Sequence, residues 1–195
     1  MGRLVVGVSG ASGIVLAHRL ISVVECEVDL VMTPSALYTA SLEMGREYAT
    51  AKRFVDSLSK KVKLHAINDL GAGIASGSYP TVGMVIIPCS MTTVAAIAMG
   101  LGDNCLRRAA DVTLKERRPL IIVPRESPLA EIHLENLLKL TKRGATIVPP
   151  MPAWYTNPQT IEDVENFIVG KVLDALKMDH SLYPRWRHEE PLVSH

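Results

Sequence analysis

The sequence has few of the features that define metal-binding or disulfide-rich proteins. It contains only three cysteines, Cys26, Cys89 and Cys105, and none lies in a Cys-x-x-Cys pair or at a Cys/His spacing typical of zinc ligands. We therefore expect neither a disulfide framework nor a metal site.

The chain also lacks a strong net charge and a long apolar run. Its 21 basic and 20 acidic residues give a net charge of +1, so no long-range field favours nucleic acid or an anionic membrane. No apolar run approaches the roughly 20 residues of a membrane span, and the apolar N-terminus is too short and glycine-broken for a signal sequence. We predict a cytoplasmic protein with small-molecule ligands.

Length and hydrophobicity bound the architecture. The 195 residues fit one domain, 1–195, whose tail from about 178 is mostly polar. Hydrophobic residues make up 48% of the sequence and the mean hydropathy is +0.19, which is high for a small soluble monomer. Burial in a homo-oligomer would account for the excess.

Strand-length apolar runs alternate with helix-like segments along the chain. The predicted strands are Leu4–Val8, Val28–Met32, Met84–Ile87, Leu120–Val123 and Ala145–Val148, and the predicted helices are about 12–24, 34–45, 90–99, 104–117, 128–143 and 160–176. Continuous apolar runs are typical of strands buried on both faces. The pattern predicts an α/β fold, a Rossmann-like or flavodoxin-like three-layer sandwich with a mainly parallel sheet and ligands at the carboxyl ends of its strands.

Three capping signals mark predicted helix starts. Thr33-Pro34 and Ser127-Pro128 each place a hydroxyl before a proline, and Thr160 precedes acidic residues. We expect helices to begin at these positions.

The strongest local motif is GVSGASG, Gly7–Gly13, between the first strand and the first helix. Glycines permit close backbone approach, and a helix N-terminus offers free N–H groups to an anion, so a phosphate is expected there, with the hydroxyls of Ser9 and Ser12 holding a monophosphate or the edge of a flavin. The spacing is not the dinucleotide GxGxxG, and no Walker lysine follows. A tight turn without a ligand is the alternative.

Three further loops follow predicted strands. PCSMTT, Pro88–Thr93, has a hydroxyl at Ser90 that serves as a helix cap, a ligand contact or both, and Cys89 there is interpreted as a buried small hydrophobe. Arg125 and Glu126 follow the next strand, where an arginine can bind phosphate. PPMPAWYTNPQT, 149–160, presents aromatic faces either to a ligand or to the core.

Other charged residues and histidines are not assigned to a site. We interpret Arg107, Arg117 and Arg118 as solvated surface charges. We interpret His65 and His133 as structural or exposed residues.

Together these segments resemble the UbiX-like flavin prenyltransferase family over nearly the whole chain. The resemblance rests on VVGVSGASG at 5–13, VIIPCSMTT at 85–93, RRAADVTLKERRPLIIVPRESPL at 107–129, HLENLLKLTKRGATIVPPMPAWY at 133–155 and KVLDALKM at 171–178. It implies a prenyltransferase, independent of metal, that moves a dimethylallyl group from dimethylallyl monophosphate to N5 and C6 of reduced FMN. The prenylated FMN then serves a UbiD-like decarboxylase, and the enzyme is expected to be a dodecamer whose sites are completed by neighbouring subunits.

The same resemblance implies a role for individual residues. The FMN contacts would be Gly10, Ala11, Ser12, Thr33, Ser90, Met91, Thr92, Thr93 and Arg125. The prenyl phosphate would be surrounded by Arg108, Lys115, Tyr155 and Lys171, with Glu126 in proton transfer and Glu43 and Trp186 as further site positions.

The chain departs from the family pattern at two positions. Thr92 stands where the family often has lysine, and Lys171 replaces a common arginine. Two other functions remain open from the sequence: an FMN-dependent cysteine decarboxylase of the phosphopantothenoylcysteine or lantibiotic type, and a non-enzymatic FMN carrier.

Overall fold

The computed structural model describes residues 2–186, in which parallel strands form the central layer. The strands are Arg3–Val8 (β1), Glu27–Met32 (β2), Val62–His65 (β3), Gly83–Cys89 (β4), Leu120–Pro124 (β5) and Thr146–Ile147 (β6). Their order is β3-β2-β1-β4-β5-β6, and each neighbouring pair is parallel. Doubly wound sheets with this order bind ligands where the chain direction across the sheet reverses, here between β1 and β4. The predicted α/β sandwich with a parallel sheet is confirmed.

Helices cover both faces of the sheet. They are Ile14–Val23 (α1), Pro34–Glu43 (α2), Ala51–Asp56 (α3), Met91–Ala98 (α4), Cys105–Lys115 (α5), Glu131–Lys142 (α6) and Ile161–Ala175 (α7). Short 3-10 turns occupy Arg46–Ala49, Gly73–Ala75 and Trp154–Thr156. Over residues 2–186, every helix is too short or too polar to cross a membrane.

The two faces of the sheet pack into separate hydrophobic clusters. Leu4, Val6 and Val8 of β1 pack with α1 and α7, whereas Val5 packs with α4 and α5 on the other face. Because both faces of β1 are covered from Leu4 to Val8, this part of the strand has no charged or polar side chain and appears in the sequence as a continuous rather than an alternating run.

Two of the three predicted caps are present. Oγ1 of Thr33 accepts the N–H of Ala36 at 3.1 Å, and Oγ1 of Thr160 accepts the N–H of Asp163 at 3.1 Å. The third prediction is wrong, because α6 begins at Glu131 rather than after Ser127. There the N–H of Ala130 donates to Nδ1 of His133 at 3.1 Å, so a histidine satisfies the backbone at this helix start.

The segment 46–80, which the sequence leaves irregular, contains α3 and the edge strand β3. Lys63 and Leu64 of β3 are exposed, because only one side of an edge strand is paired. β6 is shorter than its predicted range: Thr146 and Ile147 pair with β5, and the N–H of Val148 adds a hydrogen bond to the carbonyl oxygen of Ile122 at 2.8 Å. The errors in the strands therefore fall at the two edges of the sheet.

Candidate active site

The loops that follow β1 and β4 are joined through Ser9. Its side chain is buried, and Oγ accepts the N–H of Ser90 at 2.8 Å and donates to the carbonyl oxygen of Pro88 at 3.3 Å. The backbone N–H of Ser9 also donates to the carbonyl oxygen of Pro88, at 3.2 Å. Ser9 was expected to contact a ligand, but its hydroxyl instead holds the two loops together at the carboxyl edge of the sheet.

A cavity of about 670 Å³ opens beside this junction. Its lining comes from the β1 and β4 loops, the loop after β5 and helices α4 to α6, and consists of Gly10, Ser90, Met91, Thr92, Ala95, Ala96, Met99, Leu101, Arg107, Glu126, Ile132, His133 and Asn136. Its size is within the range of small-molecule sites, and its walls are mostly apolar with a few polar groups, as is typical of such sites.

Gly10 brings the first loop against the start of α2. A Cβ on Gly10 would lie 2.4 Å from Oγ of Ser35, so a side chain there would collide with α2. Oγ of Ser35 lies 3.0 Å from Oγ1 of Thr33, and Ser12 is exposed in the same loop. Three hydroxyl groups therefore lie in the segments after β1 and β2, beside the glycine that allows the close approach.

The N-terminus of α1 already carries an anion, which differs from the sequence expectation of free N–H groups. The N–H groups of Gly13 and Ile14 donate to the carboxylate of Glu43, at 2.9 Å and 2.8 Å. Glu43 is the last residue of α2, and the two helices lie side by side. A carboxylate is favourable at a helix N-terminus, so a phosphate at this edge of the sheet has to rely on other donors.

The second loop begins α4 with a hydroxyl cap, as predicted. Oγ of Ser90 accepts the N–H of Thr93 at 3.3 Å and donates to Oγ1 of Thr93 at 3.1 Å. Thr93 is only 4% exposed and its side chain takes part in this cap, while Thr92 is exposed at the cavity. Burial raises the pKa of the Cys89 thiol to about 12, which makes Cys89 an inert part of the core.

The loop after β5 forms the third wall. The N–H of Arg125 donates to the carbonyl oxygen of Cys89 at 3.1 Å, which fixes this loop beside the second one. The side chains of Arg125 and Glu126 are exposed. Glu126 lines the cavity, and its Oε1 accepts the N–H of Ser127 at 3.1 Å.

Arg108 and Lys115 lie along α5, outside this cavity. Arg108 pairs with Asp111 at 2.6 Å, and Lys115 pairs with Glu116. Lys115 ends α5 just before β5 begins, and a Cβ on Gly77, which precedes β4, would lie 2.7 Å from its Nζ. Lys115 is therefore at the amino edge of the sheet, opposite the loops.

Tyr155, Lys171 and Trp186 form a third group: Lys171 is on α7, and Tyr155 and Trp186 lie beside that helix. The ring centroid of Tyr155 lies 5.1 Å from that of Trp186 and 6.1 Å from that of Phe167. Lys171 is one helical turn after Phe167. The structure therefore brings the predicted FMN residues together but leaves the predicted phosphate residues on other parts of the chain.

Three polar residues of the cavity were missed or set aside in the sequence. Arg107 was interpreted as solvated, yet it lines the cavity and pairs with Asp103 at 2.8 Å. His133 was interpreted as structural or exposed, and it lines the cavity with Asn136. His133 and Asn136 are three residues apart on α6, a spacing that places two side chains on one helix face and could have identified them.

The fold and the loops at the junction of β1 and β4 are those of a flavin-binding α/β protein. A family model described as Flavoprotein matches residues 2–173, and the chain belongs to that family. A flavin prenyltransferase UbiX from Chlamydia pneumoniae is 51% identical over 193 residues, covering 97% of this chain and 100% of the relative. The chain is accordingly a member of the UbiX flavin prenyltransferases, which confirms the resemblance seen in the sequence.

Solved structures agree with this assignment. AnUbiX (PadA1), in complex with FMN and dimethylallyl pyrophosphate, superposes with a TM-score of 0.89 at 39% identity, covering 97% of this chain and 99% of that one. A dodecameric FMN-dependent Ubix-like decarboxylase from Escherichia coli O157:H7 has a TM-score of 0.87 at 41% identity, covering 95% and 99%.

Proposed function

We propose that this flavin prenyltransferase moves a dimethylallyl group from dimethylallyl monophosphate to reduced FMN, and that the prenylated FMN serves a UbiD-like decarboxylase in the cytoplasm. The observation that carries the proposal is the Ser9–Ser90 contact, which joins two hydroxyl-bearing loops beside a cavity of about 670 Å³. The relative AnUbiX was solved with FMN and dimethylallyl pyrophosphate.

The residues around the junction fit a flavin mononucleotide. Gly10 permits close approach, the hydroxyls of Ser12 and Thr33 lie beside it, and the loop after β5 adds the guanidinium of Arg125. The residues proposed to hold FMN are Gly10, Ala11, Ser12, Thr33, Ser90, Met91, Thr92, Thr93 and Arg125. Bound in its reduced form, FMN supplies the nucleophilic atoms that accept the prenyl group.

Glu43 supports this site by binding the backbone at the start of α1. Its carboxylate holds the N–H groups of Gly13 and Ile14, directly after the loop that contains Ser12. We assign it the role of fixing that loop. Glu126 lines the cavity with its carboxylate oriented by the N–H of Ser127, where it can accept a proton released during the transfer.

The departing phosphate needs positive charge. Breaking the allylic C–O bond leaves negative charge on the phosphate, and preorganised donors lower this barrier electrostatically. The residues proposed for this role are Arg108, Lys115, Tyr155 and Lys171. Trp186, stacked edge-on against Tyr155, supplies an apolar wall that keeps water from the developing allyl cation.

The separation of these groups within one chain makes a homo-oligomer part of the proposal. Lys115 is at the amino edge of the sheet and Lys171 is on α7, whereas the cavity opens at the carboxyl edge. A neighbouring subunit would supply the missing cations. The E. coli relative is dodecameric, and we propose the same assembly here.

The two alternative functions have weaker support. The cypemycin decarboxylase superposes with a TM-score of 0.63 at 20% identity, which shows the fold alone.

The decisive assay incubates the purified protein with reduced FMN and dimethylallyl monophosphate and measures the mass of the flavin. A flavin heavier by one dimethylallyl unit supports transfer. An unchanged flavin contradicts it, and a decarboxylated cysteine product would then identify the decarboxylase. Replacing the donor by the diphosphate tests the monophosphate preference.

Alanine substitutions test the phosphate residues. Lys115→Ala and Lys171→Ala should each lower prenylation by about 100-fold, because a lost preorganised donor costs roughly 3 kcal/mol in the transition state. FMN should stay bound in both variants. Lys52→Ala, which removes an exposed lysine of α3, is the matched control. Unimpaired turnover in either site variant refutes the role given to that lysine.

A further inference from the structure

The carboxylate of Asp174, in the last turn of α7, binds side chains from two parts of the chain. Oδ1 lies 2.7 Å from Nη1 of Arg185 and 3.1 Å from Nε2 of His180. Oδ2 accepts the hydroxyl of Tyr183 and lies 3.4 Å from Nζ of Lys171. Arg185, His180 and Tyr183 belong to residues 178–186, which we term the tail, so one carboxylate ties the tail to α7.

The hydrogen bonds of His180 are oriented by its surroundings. The N–H of Leu182 donates to Nδ1 of His180 at 3.2 Å, so the ring proton is on Nε2 and points to Asp174. The side chain of His180 is only 4% exposed. Burial alone would raise the pKa of Asp174, but the hydrogen bonds from Tyr183, Arg185 and His180 outweigh it and hold this pKa well below its usual range. Asp174 is thus a fixed negative charge at neutral pH.

The close approach of the tail depends on Gly170. A Cβ at this position would lie 2.5 Å from Cδ1 of Tyr183 and 2.8 Å from Cε1 of His180. Any larger residue at position 170 would therefore displace the side chains that bind Asp174.

A chain of aromatic contacts leads from this anchor to the proposed donor residues. The ring of Tyr183 lies 4.9 Å from that of Phe167, Phe167 lies 6.1 Å from Tyr155, and Tyr155 lies 5.1 Å from Trp186 at the end of the tail. A cavity of about 240 Å³ lies between the tail and residues 156–163, and Tyr183 is the one member of these aromatic contacts that lines it. Moving the tail would therefore move Trp186 away from Tyr155.

We infer that Asp174 is a positioning residue of the donor site. By docking the tail on α7, it fixes Lys171, Tyr155 and Trp186 in the arrangement that binds the phosphate and the apolar group of an allylic phosphate. The inference rests on the proposed function and adds a residue that acts without touching the substrate.

An opposite role for Asp174 makes a different prediction. A carboxylate 3.4 Å from Nζ of Lys171 could compete with the donor phosphate for that cation. Removing it would then strengthen donor binding. Positioning predicts a higher KM for the donor after the same change, so the direction of the effect separates the two roles.

The test compares Asp174→Ala with Asp179→Ala in the full-length oligomer. Asp179 is an exposed acid at the start of the tail, so its loss changes the net charge equally. We expect Asp174→Ala to raise the KM for dimethylallyl monophosphate by about tenfold, the effect of losing one charge-assisted hydrogen bond. FMN affinity should stay unchanged, and Asp179→Ala should behave as the wild type. Gly170→Ala retains the carboxylate but displaces Tyr183, and should raise the KM similarly.

A second measurement follows the tail itself. Trp154 and Trp186 are the two tryptophans of the chain, so Trp154→Phe leaves Trp186 as the single reporter. In that background, Asp174→Ala should increase acrylamide quenching of Trp186, while Asp179→Ala should not. An unchanged or lowered KM, or unchanged quenching, overturns the inference. If the wild type forms no heavier flavin, the proposed function fails, and the quenching result still decides whether Asp174 positions the tail.

Discussion

Replacing Ser9 by alanine tests the contact on which the geometry of the site depends. The side chain is 1% exposed, and its Oγ accepts the N–H of Ser90 at 2.8 Å. Alanine keeps the volume nearly unchanged but leaves this N–H without its acceptor at the loop junction. Its effect should therefore report the loss of hydrogen bonding rather than the creation of a cavity.

The expected cost follows from the two main bonds. A buried backbone donor left without an acceptor costs about 1–3 kcal/mol, and the bond from Ser90 is only partly buried. The second bond, to the carbonyl oxygen of Pro88, is long at 3.3 Å and adds little, so we expect about 1–2 kcal/mol in the lower part of that range. For a chain of this size, each kcal/mol lowers Tm by roughly 2–4 °C. Ser9→Ala should thus melt roughly 2–8 °C below the wild type.

The assay is thermal denaturation of flavin-free protein at one fixed protein concentration, since ligand and assembly both shift Tm. Ser12→Ala is the matched control, because Ser12 is exposed in the same loop and its loss should change stability by less than about 0.5 kcal/mol. A flavin titration should then show weaker FMN binding in Ser9→Ala, because the second loop has lost its anchor. If Ser9→Ala melts with the wild type, or if both variants melt equally lower, the Ser9–Ser90 junction does not have the role described.

Two further predictions concern helix termini. Glu43→Ala should destabilise the protein by about 1 kcal/mol in urea unfolding, because two N–H groups at the start of α1 lose a carboxylate; Glu25→Ala, which removes an exposed acid, should not. Hydrogen bonding by Thr160 and by the N–H of Gln159 lowers the pKa of Asp163. A lowered folded-state pKa stabilises the protein above the unfolded value, about 3.9, and this stabilisation is lost as pH falls through the folded value. The Tm difference between the wild type and Asp163→Ala should therefore shrink as pH falls below about 4, and a difference that is constant with pH would contradict the assignment.

The central strands could be predicted because a strand that is buried on both faces appears in the sequence as a continuous apolar run. Val28–Met32 is entirely apolar except for Asp29, and the observed β2 extends this range by one residue. β3 has no such run, because Lys63 and Leu64 are exposed at the edge of the sheet. Sequence periodicity reports burial, so it is weakest where a strand is only partly covered.

The sequence could predict which residues belong to the candidate site, but not which of them contact each other. The rule that ligands bind after the strands of a parallel sheet selected Ser12, Ser90 and Arg125. It did not reveal that Ser9 bonds to Ser90, because that contact requires β1 and β4 to be neighbours, and the strand order is not encoded locally. The contact of Glu43 with Gly13, 30 positions apart, and the grouping of tail residues around Asp174 depend on tertiary packing in the same way.

The positions of Lys115 and the cavity have a consequence for how the enzyme works. β4 has seven residues, and at about 3.3 Å per residue it separates the two edges of the sheet by roughly 20 Å. A lysine at the amino edge cannot cover that distance to loops at the carboxyl edge of its own sheet. If Lys115 binds the donor phosphate, it does so in a neighbouring subunit. A homo-oligomer also has apolar surface to bury, because side chains of α6 such as Leu134 and Leu138 are exposed in the single chain. Under the proposed function, assembly is therefore a condition of catalysis, because it completes the phosphate site as well as burying apolar surface.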